Sequence, residues 1–246
     1  DIDMSDAITQ TGDDIKVNKE GGSSIITVAG GIAGTTGKGA GGAAVAITDI
    51  ENTYTAKIDY ADITAETVSA DAGSNSNIVT VAGGIAAASK GSGVGSVSWN
   101  DVVNTANVDI LNSTVKAQST IAEANNAAQI VSVGGQISGA GKAAVGATLG
   151  YVGLDNSTEV NITDTAFDKR HEDEAEGTSV TAEATNSSDS YNIGAGVSAG
   201  GTASVSGTVV VTQTHGTAGA VMDNVTINNC LLYTSPSPTR LRCISY

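Results

Sequence analysis

The chain has 246 residues and a formal net charge of −15, and residues 1–229, with nine basic and 26 acidic side chains, carry −17. Such a polyanion lacks the Lys and Arg that displace counterions from phosphate backbones and is repelled by anionic lipid, which argues against nucleic-acid binding and against adhesion to a membrane surface. Aromatic residues make up 3% of the chain, and its 40% hydrophobicity comes mainly from Ala, Val and Ile, a composition that suits a narrow, repetitive core of small side chains better than one built on large rings.

The chain opens DIDMSDAITQ, without the basic, apolar and small-residue succession of a signal peptide, and reads as an internal fragment. Residues 1–229 contain no cysteine, so neither a disulfide framework nor a thiolate metal site is available there. No run of 18 apolar residues suggests a spanning helix, and membrane insertion is not expected.

One block recurs along the chain as SIITVAGGIAG (24–34), NIVTVAGGIAA (77–87), QIVSVGGQISG (129–139) and YNIGAGVSAGG (191–201). It makes Val28, Val81, Val133 and Ile193 equivalent, in steps of 53, 52 and 60. A second block, I-x-x-small-x-apolar, runs from Ile58 to Ile63, Ile110 to Val115, Ile162 to Phe167 and Met222 to Ile227, its first positions stepping by 52, 52 and 60. Two independent blocks with one period define a repeat of about 52 residues. The longer third step places an insertion of about eight residues in DKRHEDEAEG (168–177), a loop that leaves the stack.

Within each repeat the pattern is that of β structure. Val79, Val81, Gly83 and Ile85 alternate on one face, the period of two of a strand. AGGAAVAITDIENTYTAKI (40–58) is apolar on both faces at its start, which predicts a strand covered on both sides. ADITAETVSA (61–70) predicts a further strand, and SADAGSNSN after it has the composition of a turn. Paired glycines return as Gly30/Gly31, Gly83/Gly84 and Gly134/Gly135, which points to a bend or a close backbone approach. The density of Gly, Thr, Val and Asn disfavours helix. The expected fold is all-β, a parallel β-solenoid (β-helix) of about four and a half repeats occupying residues 1–229. A repeat of this length fits two rungs of about 26 residues or one rung carrying a hairpin excursion, and two rungs per repeat predict a rod of roughly 40 Å.

Motifs that suggest chemistry weaken on inspection. GTTGKG (34–39) resembles a phosphate loop, but Gly39 follows Lys38 where Ser or Thr is needed, and Ile32 stands where the first glycine belongs. Lys38, Lys90 and Lys142 recur at steps of 52, with Thr202 fourth, and read as solvated turn lysines. KRHEDEAEG (169–177) gathers His171, Glu172, Asp173, Glu174 and Glu176 but matches no calcium-loop spacing, and reads as a solvated acidic loop. Candidate acids for glycoside chemistry are Asp49, Glu51, Asp59, Asp101 and Asp109, with Arg170 the one arginine available as a base, yet none forms a distinctive cluster. Trp99 and the tyrosines do not recur at one repeat position, and His215 stands alone in TQTHGT. No catalytic, cofactor-binding or metal-ligating residue is assigned, and no cofactor is expected.

The repeated TVAGGIA-x-G-K-G-A-G-G-A-A-V-A blocks followed by I-x-x-S-x-V-x-A segments, over roughly residues 8–229, resemble the filamentous-haemagglutinin-like adhesins. They resemble in particular the leukotoxin-type filamentous adhesins of anaerobic bacteria. The resemblance implies a β-helical shaft, secretion through an outer-membrane partner, and adhesion or toxin-like contact with host cells; host glycans or surface proteins are the expected partners. It brings no functional residue, because the shaft repeats of that family carry no catalytic motif. On this basis the chain is expected to be a non-catalytic structural and adhesive segment of an extracellular or surface-displayed exoprotein. A carbohydrate-active β-helix and a passive spacer are the alternatives.

Residues 230–246, CLLYTSPSPTRLRCISY, hold both cysteines, both prolines and none of the 31 glycines. CLLYTSPSP back-translates as TGT-CTC-TTA-TAC-ACA-TCT-CCG-AGC-CCA, which resembles the transposase adapter of sequencing libraries. TRL follows after one inserted base, and ISY fits the start of the flanking primer region. This segment is read as translated adapter rather than a domain, and a Cys230–Cys243 disulfide is given no weight.

Overall fold

The computed structural model describes residues 9–171, 177–228, 231–234 and 240–244. Long and shorter strands alternate: β1 (Thr9–Thr35), β3 (Asp62–Ala88) and β5 (Thr114–Ala140) have 27 residues each, and β2 (Gly39–Asp59), β4 (Gly91–Leu111) and β6 (Ala143–Thr163) have 21. In the fourth repeat the long strand is split into β7 (Ala166–Asp168) and β8 (Ser179–Gly200), and β9 (Ala203–Asp223) and β10 (Thr226–Ile227) follow. The long strands form one parallel sheet in the order β1-β3-β5-β8, and the shorter ones a second in the order β2-β4-β6-β9. The fold is thus the expected parallel β-solenoid.

Its rung differs from both expected forms. Val28 pairs with Val81, Val81 with Val133 and Val133 with Ile193, while Ile58, Ile110, Ile162 and Met222 line up on the other sheet. Each repeat is therefore one rung made of two long strands, with neither a 26-residue subdivision nor a hairpin. At about 4.8 Å per rung the four rungs rise roughly 19 Å, while a long strand at about 3.3 Å per residue extends roughly 90 Å. The molecule is a broad, low stack, not a 40 Å rod.

Two kinds of turn close each rung. From the shorter to the longer strand the chain passes through Tyr60, Asn112, Asp164 and Asn224, all with φ between 47° and 51°. Asn and Asp tolerate this left-handed conformation, whereas at Tyr60 it costs about 1–2 kcal/mol. The backbone ladder continues around the corner, with the N–H of Tyr60 donating to the Leu111 carbonyl (3.2 Å), Asn112 to Thr163 (3.0 Å) and Asp164 to Asp223 (3.1 Å). At the opposite corner Lys38, Lys90, Lys142 and Thr202 stack, exposed, in turns of two or three residues.

The long strands also bend. Ala65 and Val68 both point inward with Glu66 and Thr67 turned out between them, and the ladder skips Asp13, Glu66 and Gln118. The insertion occupies this same place. Lys116 pairs with Asp168 and Ser119 with Ser179, so register resumes beyond it. A loop emerging where the ladder is already interrupted costs only one further pairing, that of Ala117 on this side. SADAGSNSN, expected as a turn, runs instead as uninterrupted strand within β3, because its neighbours above and below supply a partner for every peptide group.

The interior changes character along each rung. Near the left-handed turns it is apolar: Ile58, Ile63, Val68, Val108, Ile110, Val115, Ile162 and Phe167 are fully buried. A polar layer follows. The Asn52 amide donates to Asn104 Oδ1 (2.9 Å) and the Asn104 amide to Asn156 Oδ1 (2.9 Å), while Ser74 (3.2 Å) and Ser76 (2.9 Å) also donate to Asn104. A second apolar group, including Ile50, Ile78, Val102 and Ile130, lies beyond it. Toward the lysine turns the filling is Thr48, Thr80, Ser96, Ser98, Asn100 and Ser132, with Ala and Gly. These polar ladders lie between the sheets, not on the outer faces.

In the last segment β11 (Leu231–Thr234) and β12 (Arg240–Ile244) form an antiparallel pair, and β12 lies antiparallel on β8, Arg240 opposite Glu183. Among the described residues these are the only antiparallel pairings, and they fall in the segment whose composition departs from the repeat. Cys230 lies outside the described residues.

Candidate functional site

The TVAGGIA block decides the surface. Ile78, Thr80, Ala82 and Gly84 point between the sheets, so Val79, Val81, Gly83 and Ile85 point away from them. The reason is interior width. A Cβ added at Gly31 would lie 2.5 Å from the Ala43 carbonyl oxygen of the facing sheet, and one at Gly134 would lie 2.8 Å from Thr148 Cγ2. Where the sheets approach so closely the filling is mostly Gly, Ala, Ser and Thr, with Val94, Asn100 and Gln136 the larger side chains buried there, and most of the bulky alternate residues face out.

The glycine pairs accordingly divide. Gly31 and Gly84 face the interior and have the close approach that the sequence suggests, whereas Gly30, Gly83 and Gly135 face outward, where an added Cβ would meet no atom closer than 3.8 Å. The third pair is displaced by one position, with Gly134 opposite Ala82 and Gly135 opposite Gly83.

On the outer face of the long-strand sheet these glycines floor an apolar groove of about 550 Å³, walled by Val81, Ile32, Ile85, Ile137 and Val197. Ile26 is 75% exposed and Ile32 86%. The shorter strands repeat the arrangement. Ala44 and Ala46 are buried, but Val45 and Ile47 are 57% and 67% exposed, so this strand is covered on one face and not on both. Trp99 and Tyr151 stack on the same outer face, ring centroids 4.0 Å apart and planes at 24°. Contrary to the reading that the aromatic residues share no repeat position, Trp99 and Tyr151 are register partners, with Ile47 and Val211 on the next rungs on either side. The rings therefore stack along the ladder with their faces toward neighbouring rungs.

This half of the molecule also excludes acid. Segments 21–48, 72–100, 124–154 and 190–222 contain no Asp or Glu, and their only Lys or Arg residues are Lys38, Lys90 and Lys142. The pairing stacks them into one acid-free block ending in the lysine turns.

The candidate acids lie outside or along its border. Asp49 and Asp101 are register partners on the open outer face of the shorter-strand sheet, and Glu51 pairs across from Val103. His215 stands beside Asp155 in register and is exposed. Asp109 accepts from the Asn161 amide at 3.2 Å. Asp59 belongs to the left-handed corner. Burial pushes its carboxyl up, but hydrogen bonds from Asn112 (3.0 Å) and Lys57 (2.9 Å), the Lys57 charge and the Tyr60 N–H outweigh that and hold it below the usual carboxylate value. Arg170, at the root of the insertion, lies 3.8 Å from Asp13 on the first rung, a structural contact. Glu172, Asp173, Glu174 and Glu176 lie outside the described residues, and His171 is exposed. Among the described residues no three of His, Cys, Asp and Glu gather as metal ligands. The GTTGKG segment forms the first lysine turn and the strand ends beside it.

No protein-family model, no curated protein and no solved structure matches the chain.

Proposed function

We propose that the chain is a non-catalytic shaft segment, structural and adhesive, of a secreted or surface-displayed bacterial exoprotein. The observation that carries this reading is continuous register. Both sheets run in parallel through four repeats, and an eight-residue insertion leaves the ladder beyond it in step. A stack whose ladder pairs each rung with its neighbours lengthens by adding repeats and makes a stiff spacer. Columns of similar side chains along the stack, such as Val28, Val81, Val133 and Ile193, offer much the same weak contact several times, which suits multivalent attachment to host glycans or surface proteins. Export through an outer-membrane partner follows from the resemblance of the repeats.

The full chain, immobilised and challenged with host cells and a panel of glycans, tests the adhesive part. Saturable binding supports it; absence of binding at every ligand density reduces the chain to a passive spacer. The carbohydrate-active alternative has one observation in its favour, the adjacency of Asp49 and Asp101 beside Trp99. Depolymerisation of a polysaccharide by the chain, lost in Asp49→Asn and Asp101→Asn, would overturn the non-catalytic reading.

A further inference from the structure

The outer face of the shorter-strand sheet carries three features that bear on one another. Across the acid-free block its columns alternate in size: Ala43, Gly95 and Ala147 lie beside Val45, Val97 and Leu149. One border of this strip is the row Lys38, Lys90, Lys142, and none of the three has a carboxylate partner among the described residues. The other border is a row of carboxylates, Asp49 and Glu51 on the first rung, Asp101 on the second and Asp155 on the third.

The geometry points to a second copy of this chain as the occupant, packed face to face about a two-fold axis that runs along the stack. Such an axis keeps each rung level with its counterpart and reverses the strand direction. Placed at the level of residue 44, it sets the Ala43 column against the partner's Val45 column, and large residues fill the space that small ones leave. The same operation brings Lys38 to Asp49 and Glu51, Lys90 to Asp101, and Lys142 to Asp155 of the other copy. A two-fold axis along the strands instead sets lysine rows against lysine rows, so the charges select one arrangement.

The dimensions agree. From Lys38 to Glu51 the strip runs roughly 43 Å at about 3.3 Å per residue and stands about 19 Å tall, roughly 800 Å² per partner, the size typical of a stable interface. A chain of net charge −15 resists self-association in general, but here the acids are outside the strip or face a lysine. A bilayer fits less well. β1, β2 and β9 leave one backbone edge unpaired, and hydrocarbon does not accept open sheet edges. On the opposite face, the column beyond the groove's apolar columns reads Ser24, Asn77, Gln129 and Asp189, a single carboxylate on the rung whose turn carries Thr202 instead of lysine, so no carboxylate row there complements the lysines.

Sedimentation equilibrium of the full chain over a range of concentrations tests the proposal. A monomer–dimer equilibrium is expected, weakened on the order of tenfold or more by the triple change Lys38→Glu, Lys90→Glu, Lys142→Glu. Adding Asp49→Lys, Glu51→Lys, Asp101→Lys and Asp155→Lys to that variant restores it, because the swapped rows again complement each other. Unchanged circular dichroism of these turn and surface variants confirms that the fold is intact. The proposal is overturned if the chain stays monomeric throughout, or if association ignores the lysine reversal but is lost in Val81→Asp on the other face. Co-sedimentation with neutral phosphatidylcholine vesicles in place of dimerisation would likewise overturn it, assigning the strip to lipid.

Discussion

At the left-handed end of each rung Ile58, Ile110, Ile162 and Phe167 fill the space between the sheets, and the exterior carries acids such as Asp62, Glu66 and Asp71. At the lysine end the interior holds mostly Ala, Ser, Thr and Gly, with Val94, Asn100 and Gln136 among them, while most Val and Ile stand outside on both faces and no acid is present. The backbone pairing is the same in both halves; the filling is reversed. The first half draws stability from buried aliphatic area, at about 1.5–3 kcal/mol for each large side chain. The second relies on its hydrogen-bonded ladders and on small-residue packing, and its exposed apolar area is available for association. One continuous pair of sheets thus joins a half with a large apolar core to a half whose apolar side chains mostly face out.

The largest effect that sharpens this contrast is expected at Ile110. Ile110→Ala opens a cavity in the aliphatic core and should lower stability by about 2–5 kcal/mol, whereas Ile137→Ala, at a side chain 54% exposed in the other half, should stay within about 0.5 kcal/mol. Urea midpoints of the two variants measure the difference, and equal losses would break the division. Asn104→Ala, at the polar layer between the halves, removes the acceptor of Asn52, Ser74 and Ser76 and the donor to Asn156. A loss of about 2–3 kcal/mol is expected from the stranded buried groups, and urea denaturation again reads it.

Two glycines of one block should respond with opposite sign. Gly31→Ala drives a methyl against the Ala43 carbonyl and should destabilise by about 1–3 kcal/mol. Gly83→Ala meets nothing within 4 Å and should gain about 0.4–1 kcal/mol by restricting the unfolded chain. Thermal melts of the pair distinguish a thin interior from a merely glycine-rich strand. The smallest effect belongs to Asp59. Its carboxyl is held below the usual value in the folded chain, so its contribution is complete above the unfolded value near pH 3.9 and fades as pH falls through the lower folded one. Asp59→Asn should therefore lower stability slightly at neutral pH and become indistinguishable from the parent in strong acid, as stability measured against pH would show.

Much of the architecture is legible in the sequence. The 52-residue period, the equivalence of Val28, Val81, Val133 and Ile193, and the position of the insertion all follow from matching residues, because in a parallel stack like pairs with like. The acid-free segments and the lysine row were also written in the residues, although only stacking makes four separate segments one surface. The orientation of each strand was not legible. A period of two separates Ile78, Thr80 and Ala82 from Val79, Val81 and Ile85, but both sets contain apolar residues, so alternation alone assigns neither to the interior. The rung count was hidden for a related reason: a repeat length states how far apart equivalent residues lie, not how often the chain folds back between them. Both were decided by the distance between the two sheets, which is set by the smallest side chains that must meet across it and exists only once the whole rung has closed.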